Sequence, residues 1–475
     1  MVNEVLFKKW IEKEKRTSLA KKRSYSHFDL RINFPKNISF FRSFFSNSKN
    51  IVRHPFYPFI RMDIITPRYK KSDEKNEEGK FIRKMATKLR PISYSAHFDA
   101  FIYSWYSTLL TEKYEAKIKE YKIYDCVLAY IEKGKSNIDF SHSVFEYIKE
   151  QKDCVAMAFD ISSFFDGLDH EHLKKMWGLT IDEDILPEDH FKIFKTLTEY
   201  TYIEKQDLEK QFPFIVEFKN KKTFIPRICS PTNFRERVRG NRLIKKNSFI
   251  NKISDSKRLG SICGIPQGSP ISACLSNIYM IDFDIAVNNK MKEYNGVYYR
   301  YCDDIIVVVN TEDQEVIKNY ISNEIRKYHL EINQSKTEVT YFRIDSKMRL
   351  RGYDETGNYR NLQYLGFEFN GENTYIRSSS ISRYNSRLNS RIRENLKAAY
   401  GKKSIGLRVF KKTLLNRFTE KGERNFISYA RRAKNTMQSK TIYKQYKNSI
   451  IKVAEKFSAR KLEFEIKRNP KRLMD

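Results

Sequence analysis

Hydrophobic positions along the chain change period several times, and each change predicts an element. From Ser95 onward, Phe98, Phe101, Ile102, Trp105, Leu109 and Tyr114 recur at helical spacing, which predicts a buried helix. Val155 to Phe159 (VAMAF) is a short unbroken apolar run closed by Asp160, the pattern of a buried strand. Val297 to Val309 (VYYRYCDDIIVVV) has apolar runs on both sides of two adjacent acids and contains neither Gly nor Pro, which predicts a hairpin with the acids at its tip. Asn361 to Phe369 (NLQYLGFEF) is a third strand candidate, alternating near its end and carrying Gly366. Beyond residue 370 the spacing becomes helical. Ile381, Tyr384, Leu388, Ile392, Leu396 and Ala399 mark one helix; Leu407, Phe410, Leu414 and Phe418 a second; Ile442, Tyr446, Ile450, Ala454 and Phe457 a third. Gly401 and Gly422 are placed to cap the first two. Residues 1–80 form a basic, aromatic-rich leader, and the polar stretch Lys70 to Lys80 predicts an exposed loop. The order is a mixed α/β region followed by a helical one.

The 475 residues suggest two to four domains at roughly 100–200 residues each. A hydrophobic share of 40% and an aromatic share of 14% exclude a disordered polycation, despite 90 Lys and Arg against 58 Asp and Glu. The longest aliphatic run, Ile305 to Val309, is far short of the ~20 residues that span a bilayer, so no membrane association is expected. The opening MVNEVLFKKWIEKEKR carries acids and no apolar segment, and does not read as a secretory signal. Six scattered cysteines lack any Cys-x-x-Cys pair, which fits reduced thiols in a cytoplasm better than zinc or disulfides. His170 and His172 flank Glu171 without metal-ligand spacing and are read as surface residues. Charge changes the picture of the C-terminal region most. Residues 371–475 hold 28 basic and 8 acidic side chains, interleaved with Tyr and Phe, a field suited to nucleic acid. The alternative there is a solvated helical face.

Three acids carry the candidate chemistry. Asp160 closes one strand, and Asp303 and Asp304 lie in another about 140 residues later. Acids are rare in strands and costly when buried, so each needs a partner, and a divalent cation is one. Successive strand residues face opposite sides, so both Asp303 and Asp304 reach one site only if a turn intervenes, or if Asp160 and Asp303 are the main ligands with Asp304 in support. A bare Asp-Asp pair also fits a surface turn. Between the strands, Cys263 to Ser272 (CGIPQGSPIS) sets two glycines and two prolines ahead of a helix, a tight loop able to approach a flat base pair or a phosphate, or a plain structural turn.

Taken together, these segments resemble the reverse transcriptases, specifically the bacterial group that includes group II intron, retron and defence-associated enzymes. Phe159 to Asp166 (FDISSFFD) is similar to the first catalytic motif, Gly264 to Pro270 (GIPQGSP) to the template- and nucleotide-positioning motif, and Tyr301-Cys302-Asp303-Asp304 to the Tyr-x-Asp-Asp signature. Asn333 to Thr337 resembles the next motif with its lysine, Tyr364 to Phe367 the primer-grip hairpin, and Arg90-Pro91-Ile92 the fingers segment. The resemblance implies an α+β right-hand polymerase. It has an N-terminal extension (1–80), fingers (81–155), a palm of antiparallel sheet and helices (156–370, with a fingers insertion at about 180–260) and an α-helical basic thumb (371–475). It implies two Mg²⁺ ions, with Mn²⁺ as a possible substitute, held by Asp160, Ile161, Asp303 and Asp304, and Lys336 as proton donor to pyrophosphate. Lys84 and Arg90 clamp the triphosphate, with Lys88 or Arg83 as substitutes; Gln267 and Gly268 lie against the nascent pair. Phe165 meets the sugar, where a bulky ring clashes with a ribose 2′-hydroxyl; Phe164 and Phe165 as ordinary core residues is the other reading. Tyr301, Cys302, Tyr364, Leu365 and Gly366 contact primer and template, while Arg387, Arg391, Arg393, Lys397, Arg431 and Arg432 track a duplex or bound RNA.

Retron features and a zinc-bearing endonuclease module are not found, and the roughly 95 residues between the first two motifs, which include Cys229 to Arg239 (CSPTNFRERVR), together with Ala129-Tyr130 and Gly134 to Ile138 (GKSNI) upstream of the first acid, are most similar to the defence-associated (unknown group) reverse transcriptases. That branch implies RNA-directed DNA synthesis from dNTPs on a noncoding RNA template, in bacterial antiphage defence. Two alternatives stand: template-independent or protein-primed DNA synthesis of the abortive-infection type, and an RNA-binding scaffold with an inactive palm.

Overall fold

The computed structural model describes residues 3–20, 25–75, 81–218, 221–253, 256–400 and 411–468. The strands in chain order are β1 (Phe59–Lys75), β2 (Phe81–Tyr94), β3 (Cys154–Asp160), β4 (Thr201–Glu204), β5 (Ile215–Phe218), β6 (Lys221–Phe224) and β7 (Lys245–Lys246). They continue with β8 (Val297–Tyr301), β9 (Asp304–Val309), β10 (Glu338–Ile344), β11 (Leu350–Tyr353), β12 (Leu362–Tyr364), β13 (Phe367–Phe369) and β14 (Thr374–Ile376). The central sheet has the order β11-β10-β3-β9-β8 and is antiparallel throughout. A second sheet, β2-β1-β4-β7, carries the long β1–β2 hairpin, and β12-β13-β14 forms a third.

Alternation explains why β3 and β9 are apolar without interruption. Val155, Met157, Ile305, Val307 and Val309 face a large core shared with helix His97–Glu120, while Ala156, Ile306 and Val308 face a second core. The second core reaches Phe342, Phe367 and Phe369 and then Ile427 and Ala430 of the C-terminal helices. Each such Val, Ile, Met or Phe side chain contributes roughly 1.5–3 kcal/mol on burial, so covering both faces fixes the register that sets Asp160 opposite Asp304.

The leader is core rather than appendage. Helix Glu4–Ala20 buries Phe7 and Trp10. The Trp10 ring meets Phe34, Phe41 and Phe45 edge-on at 5.2–5.6 Å, so these aromatics are consumed by packing and are not open to bases. Lys70–Lys75, read from polarity as loop, belongs to β1, and the boundary expected at residue 80 falls between the two strands of the hairpin. Asn361–Phe369 is two strands, not one, because Leu365 and Gly366 take φ +42° and +92° and reverse the chain. Helix Lys440–Tyr446 and helix Ser449–Arg468 replace the single helix expected there; Asn448 at φ +62° breaks the run. Gly422 caps nothing: it lies beyond helix Lys411–Phe418, where a Cβ would stand 1.7 Å from the Asn416 carbonyl oxygen. Gly401, Leu407 and Phe410 lie outside the described residues. His170 and His172 are not surface residues. Both are half-buried at the start of helix His170–Ile181, and their Nε2 atoms donate to the carbonyls of Gly264 (2.8 Å) and Tyr279 (3.0 Å). No helix among the described residues is long and apolar enough to cross a membrane.

Full burial pushes the His27 imidazole down to about 3, so it stays neutral in the fold. Below its ordinary value of 6.5 the unfolded chain takes up a proton there that the folded chain does not, so stability falls as pH drops, by up to ~1.4 kcal/mol per pH unit. His27→Gln should flatten the decline in melting temperature from pH 6.5 to about pH 5. An unchanged slope would contradict the assignment.

Candidate active site

The acids meet at one end of the central sheet. Asp160 and Asp304 are register partners on β3 and β9, and Tyr301 faces Asp304 across the β8–β9 hairpin. Cys302 and Asp303 form its turn, with Cys302 at φ +60°. The turn resolves the alternation problem: Asp303 leaves the strand plane, and the Ile161 N–H donates to its carbonyl at 3.2 Å, tying the two acid-bearing segments together. Asp160 and Asp303 line a cavity of about 740 Å³, whereas Asp304 is exposed and is not among its lining residues. Desolvation, then the like charges of Asp303 and Asp160, push the Asp304 carboxyl up to about 6, against the pull of Arg377 and Lys336. The Lys336 ammonium donates to Asp160 Oδ1.

This crowding of carboxylates is the donor chemistry a hard divalent cation takes. Among the described residues no group of three or more His, Cys, Asp or Glu closes round a metal position by itself. Lys336, bound to Asp160, supplies the positive charge at that end of the sheet. The residues fit ions shared with substrate phosphate oxygens rather than an all-protein cage.

The cavity collects other expected groups from three further segments. Phe164 and Phe165 both line it: Phe164 is a core residue at 4% exposure, and Phe165 is half-buried against the same core, the more open of the two rings. Arg90 and Lys88 reach it from β2, and Gln267 from the Pro-Gly loop. That loop is stitched on both sides: Ile265 N–H donates to the Phe165 carbonyl at 2.9 Å, and Ser93 N–H to the Gln267 carbonyl at 2.8 Å. Gly268 is required by the close approach, since a Cβ at its φ of +115° would sit 2.8 Å from Ile92 Cγ2 and 2.9 Å from the Ser93 carbonyl oxygen. The Lys84 side chain lies outside the described part of β2.

The expected primer and template positions divide. Cys302 lines the cavity; Tyr301 is half-buried; Tyr364 is a core residue at 4% exposure. Leu365 and Gly366 line a different cavity with Arg387, on the C-terminal helices. Arg387, Arg391, Arg393, Lys397, Arg431 and Arg432 are all exposed, and Arg391 is paired with Glu394 at 2.6 Å.

Sequence reading missed what holds the acidic turn. Arg300 is fully buried in β8, its guanidinium bidentate to Asp284 (2.7 and 2.6 Å) and donating to Asn277 Oδ1 (3.1 Å) and to the Cys302 carbonyl (3.2 Å). Tyr298 donates to the same Asp284 at 2.6 Å. The available signal was a charged residue inside an aromatic strand run two positions before the turn. Tyr130, at φ +62°, also lines the cavity and was not singled out as a site residue.

Paired strand-end carboxylates, a glycine loop and a basic strand facing them across one cavity, on an antiparallel sheet flanked by helices, constitute an α+β right-hand polymerase fold. The family model for reverse transcriptase (RNA-dependent DNA polymerase) matches residues 82–369, and the chain belongs to that family. Enzymes of the family work with divalent metal ions, typically Mg²⁺. Solved structures similar to the chain include telomerase from Candida tropicalis in complex with a TWJ fragment of telomeric RNA (14% identity, TM-score 0.42, covering 88% of this chain and 62% of that one). Apo telomerase from the same organism is similar at 13% identity and TM-score 0.41, covering 91% and 67%. A form truncated from the C-terminal domain matches at 14% identity and TM-score 0.40, covering 72% and 60%. The chain thus spans about 60–67% of the length of these proteins, and the family assignment rests on the match over residues 82–369.

If Phe165, at the cavity wall, meets the sugar as the resemblance implies, Phe165→Ala should raise ribonucleotide use relative to deoxynucleotide use by roughly tenfold or more, because relief of a clash of a few kcal/mol is felt only by the 2′-hydroxyl. Competition between matched ribo- and deoxynucleotides is the measurement, and unchanged discrimination would remove Phe165 from that role.

Proposed function

We propose that the chain is an RNA-directed DNA polymerase that extends a 3′-hydroxyl with dNTPs. The observation carrying this reading is that segments about 140 residues apart set Asp160 beside Asp303 and Asp304 at one sheet end, where Asp160 and Asp303 line a cavity with Arg90, Phe165 and Gln267. In this reading the N-terminal segment packs onto fingers that include the whole β1–β2 hairpin and run to about residue 155, followed by a palm over 156–370 with the insertion at about 180–260 and a thumb over 371–475.

Asp160, Asp303 and Asp304, with Ile161, would hold two Mg²⁺ ions, or Mn²⁺ in their place, and bound metal supplies Lewis acidity toward the attacking hydroxyl and the departing pyrophosphate. Arg90, with Lys84 and Lys88 on the same strand, orients the triphosphate by its charge. The Phe165 ring excludes a ribose 2′-hydroxyl, and the Gln267–Gly268 backbone, pinned to Ser93, gives the nascent pair a flat bed. Lys336 holds Asp160 until substrate arrives and then delivers a proton to the leaving pyrophosphate. Arg300 keeps the acidic turn at one height from behind.

The finer reading is a bacterial, cytoplasmic enzyme of the defence-associated branch, copying a noncoding RNA held by its basic thumb during phage infection. The motif spacing and the charge of residues 371–475 support it. Recovering the protein from its host and sequencing both the bound RNA and the DNA tests it. DNA complementary to one co-purified RNA is expected; homopolymer DNA with no matching RNA would favour untemplated or protein-primed synthesis instead.

A further inference from the structure

A second cavity, of about 540 Å³, lies between the Leu365–Gly366 turn and the C-terminal helices. Arg383 and Arg387 enter it from helix Ser378–Tyr400, Arg417 from helix Lys411–Phe418, and Arg424 from the segment leading into helix Phe426–Thr436. Among the described residues none of the four makes an ion pair, although the chain pairs many of its other surface charges. Four unneutralised guanidiniums around one concavity repel one another, an arrangement that an anion relieves. The positive end of helix Phe426–Thr436 adds to that field.

The cavity also has an aromatic wall. Tyr384 and Phe426 stack at 4.8 Å, and Tyr384 is fixed by its hydroxyl, which donates to the Phe418 carbonyl at 2.5 Å. Tyr429 closes the wall, holding Asn137, which in turn binds the Leu365 carbonyl at 2.9 Å. A flat aromatic face beside several guanidiniums matches a base joined to a phosphate. A double helix is a convex rod whose bases are hidden, and it cannot fill a pocket of this kind; an unstacked nucleotide can.

We propose that this cavity binds one unpaired nucleotide of a single-stranded nucleic acid, its base on the Tyr384–Phe426 wall and its phosphate among Arg383, Arg387, Arg417 and Arg424. The inference does not depend on DNA synthesis. It adds to the general electrostatic tracking expected of the thumb a discrete site that recognises a base as well as charge.

The test uses the full chain and fluorescent pentanucleotides, rU5 and dT5, beside a blunt duplex and an abasic pentanucleotide of equal charge. Arg417→Gln/Arg424→Gln should weaken pentanucleotide binding by roughly tenfold or more and duplex binding by about twofold or less, and the abasic strand should bind the unaltered chain roughly tenfold less tightly than dT5. Lys440→Gln/Lys444→Gln, which removes the same charge from exposed positions of the neighbouring helix, should cost single strands little. The tighter of rU5 and dT5 identifies whether an RNA or a DNA strand supplies the nucleotide. Equal losses for single strand and duplex, equal effects of the arginine and lysine pairs, or abasic binding as tight as dT5 would overturn the proposal. Tyr384→Leu provides a second variant that leaves the charge untouched, and it should reproduce the loss of base preference while melting temperature reports folding.

Discussion

Asp303→Asn is expected to reduce nucleotide incorporation by roughly 10²–10³-fold or more while leaving the melting temperature unchanged or slightly raised. The two halves of this result have one cause. Asp303 sits in a turn, contributes no apolar packing, and is within the electrostatic reach of Asp304, whose carboxyl is pushed up to about 6 partly by that neighbour. Neutralising it removes repulsion from the folded state, which favours stability. In the proposed site the same change removes an anionic metal ligand, and loss of several kcal/mol of transition-state stabilisation is a factor of about 10²–10³ in rate. A structural acid behaves oppositely, since its removal would lower the melting temperature. Parallel measurements of incorporation and thermal unfolding separate the cases. An Asp303→Asn protein that kept full activity, or lost activity only in proportion to unfolding, would contradict the assignment.

The second large effect is at Arg300. Arg300→Met strands Asp284 with no guanidinium in a site where both side chains are 0% exposed, and breaking a buried pair on one side costs about 3–5 kcal/mol. Removing both charges is a different experiment. Arg300→Met/Asp284→Leu leaves no buried charge and should recover most of that stability, because well-packed apolar residues replace buried ion pairs at little cost. It does not restore the hydrogen bond from Arg300 to the Cys302 carbonyl, nor the one to Asn277. The acidic turn is then free to shift, and a displacement near 1 Å is enough to lower turnover by about 100-fold. The expected signature is a stable double variant with depressed turnover and little change in nucleotide KM. Recovery of both stability and activity would show that Arg300 only fills space.

The candidate site was legible because it breaks a local rule. Apolar runs as dense as VAMAF and IIVVV are buried on both faces, and an acid at the end of each is conspicuous against them. The hairpin, its turn and the positions of Asp160 and Asp303 follow from that. The β1–β2 hairpin was not legible, because Lys70–Lys75 extends beyond the sheet's core and carries no hydrophobic alternation for a pattern to detect. The division at Leu365–Gly366 and the break at Asn448 depend on single left-handed residues, which periodicity averages over. Trp10 and its aromatic ring cluster read as a loose basic leader because their partners on helix His97–Glu120 are about 90 residues away. The Arg300–Asp284 pair is likewise a contact between elements: nothing local in β8 states that a helix will set a carboxylate beneath it.

Templated synthesis at the Asp160–Asp303 cavity is open to direct test. Its most direct measurement is to give the purified protein a heteropolymeric RNA annealed to a short DNA primer, with dNTPs and Mg²⁺, and to sequence the product. DNA complementary to the supplied RNA, absent with Asp303→Asn, is the predicted result; no extension, or extension whose sequence ignores the template, would contradict it.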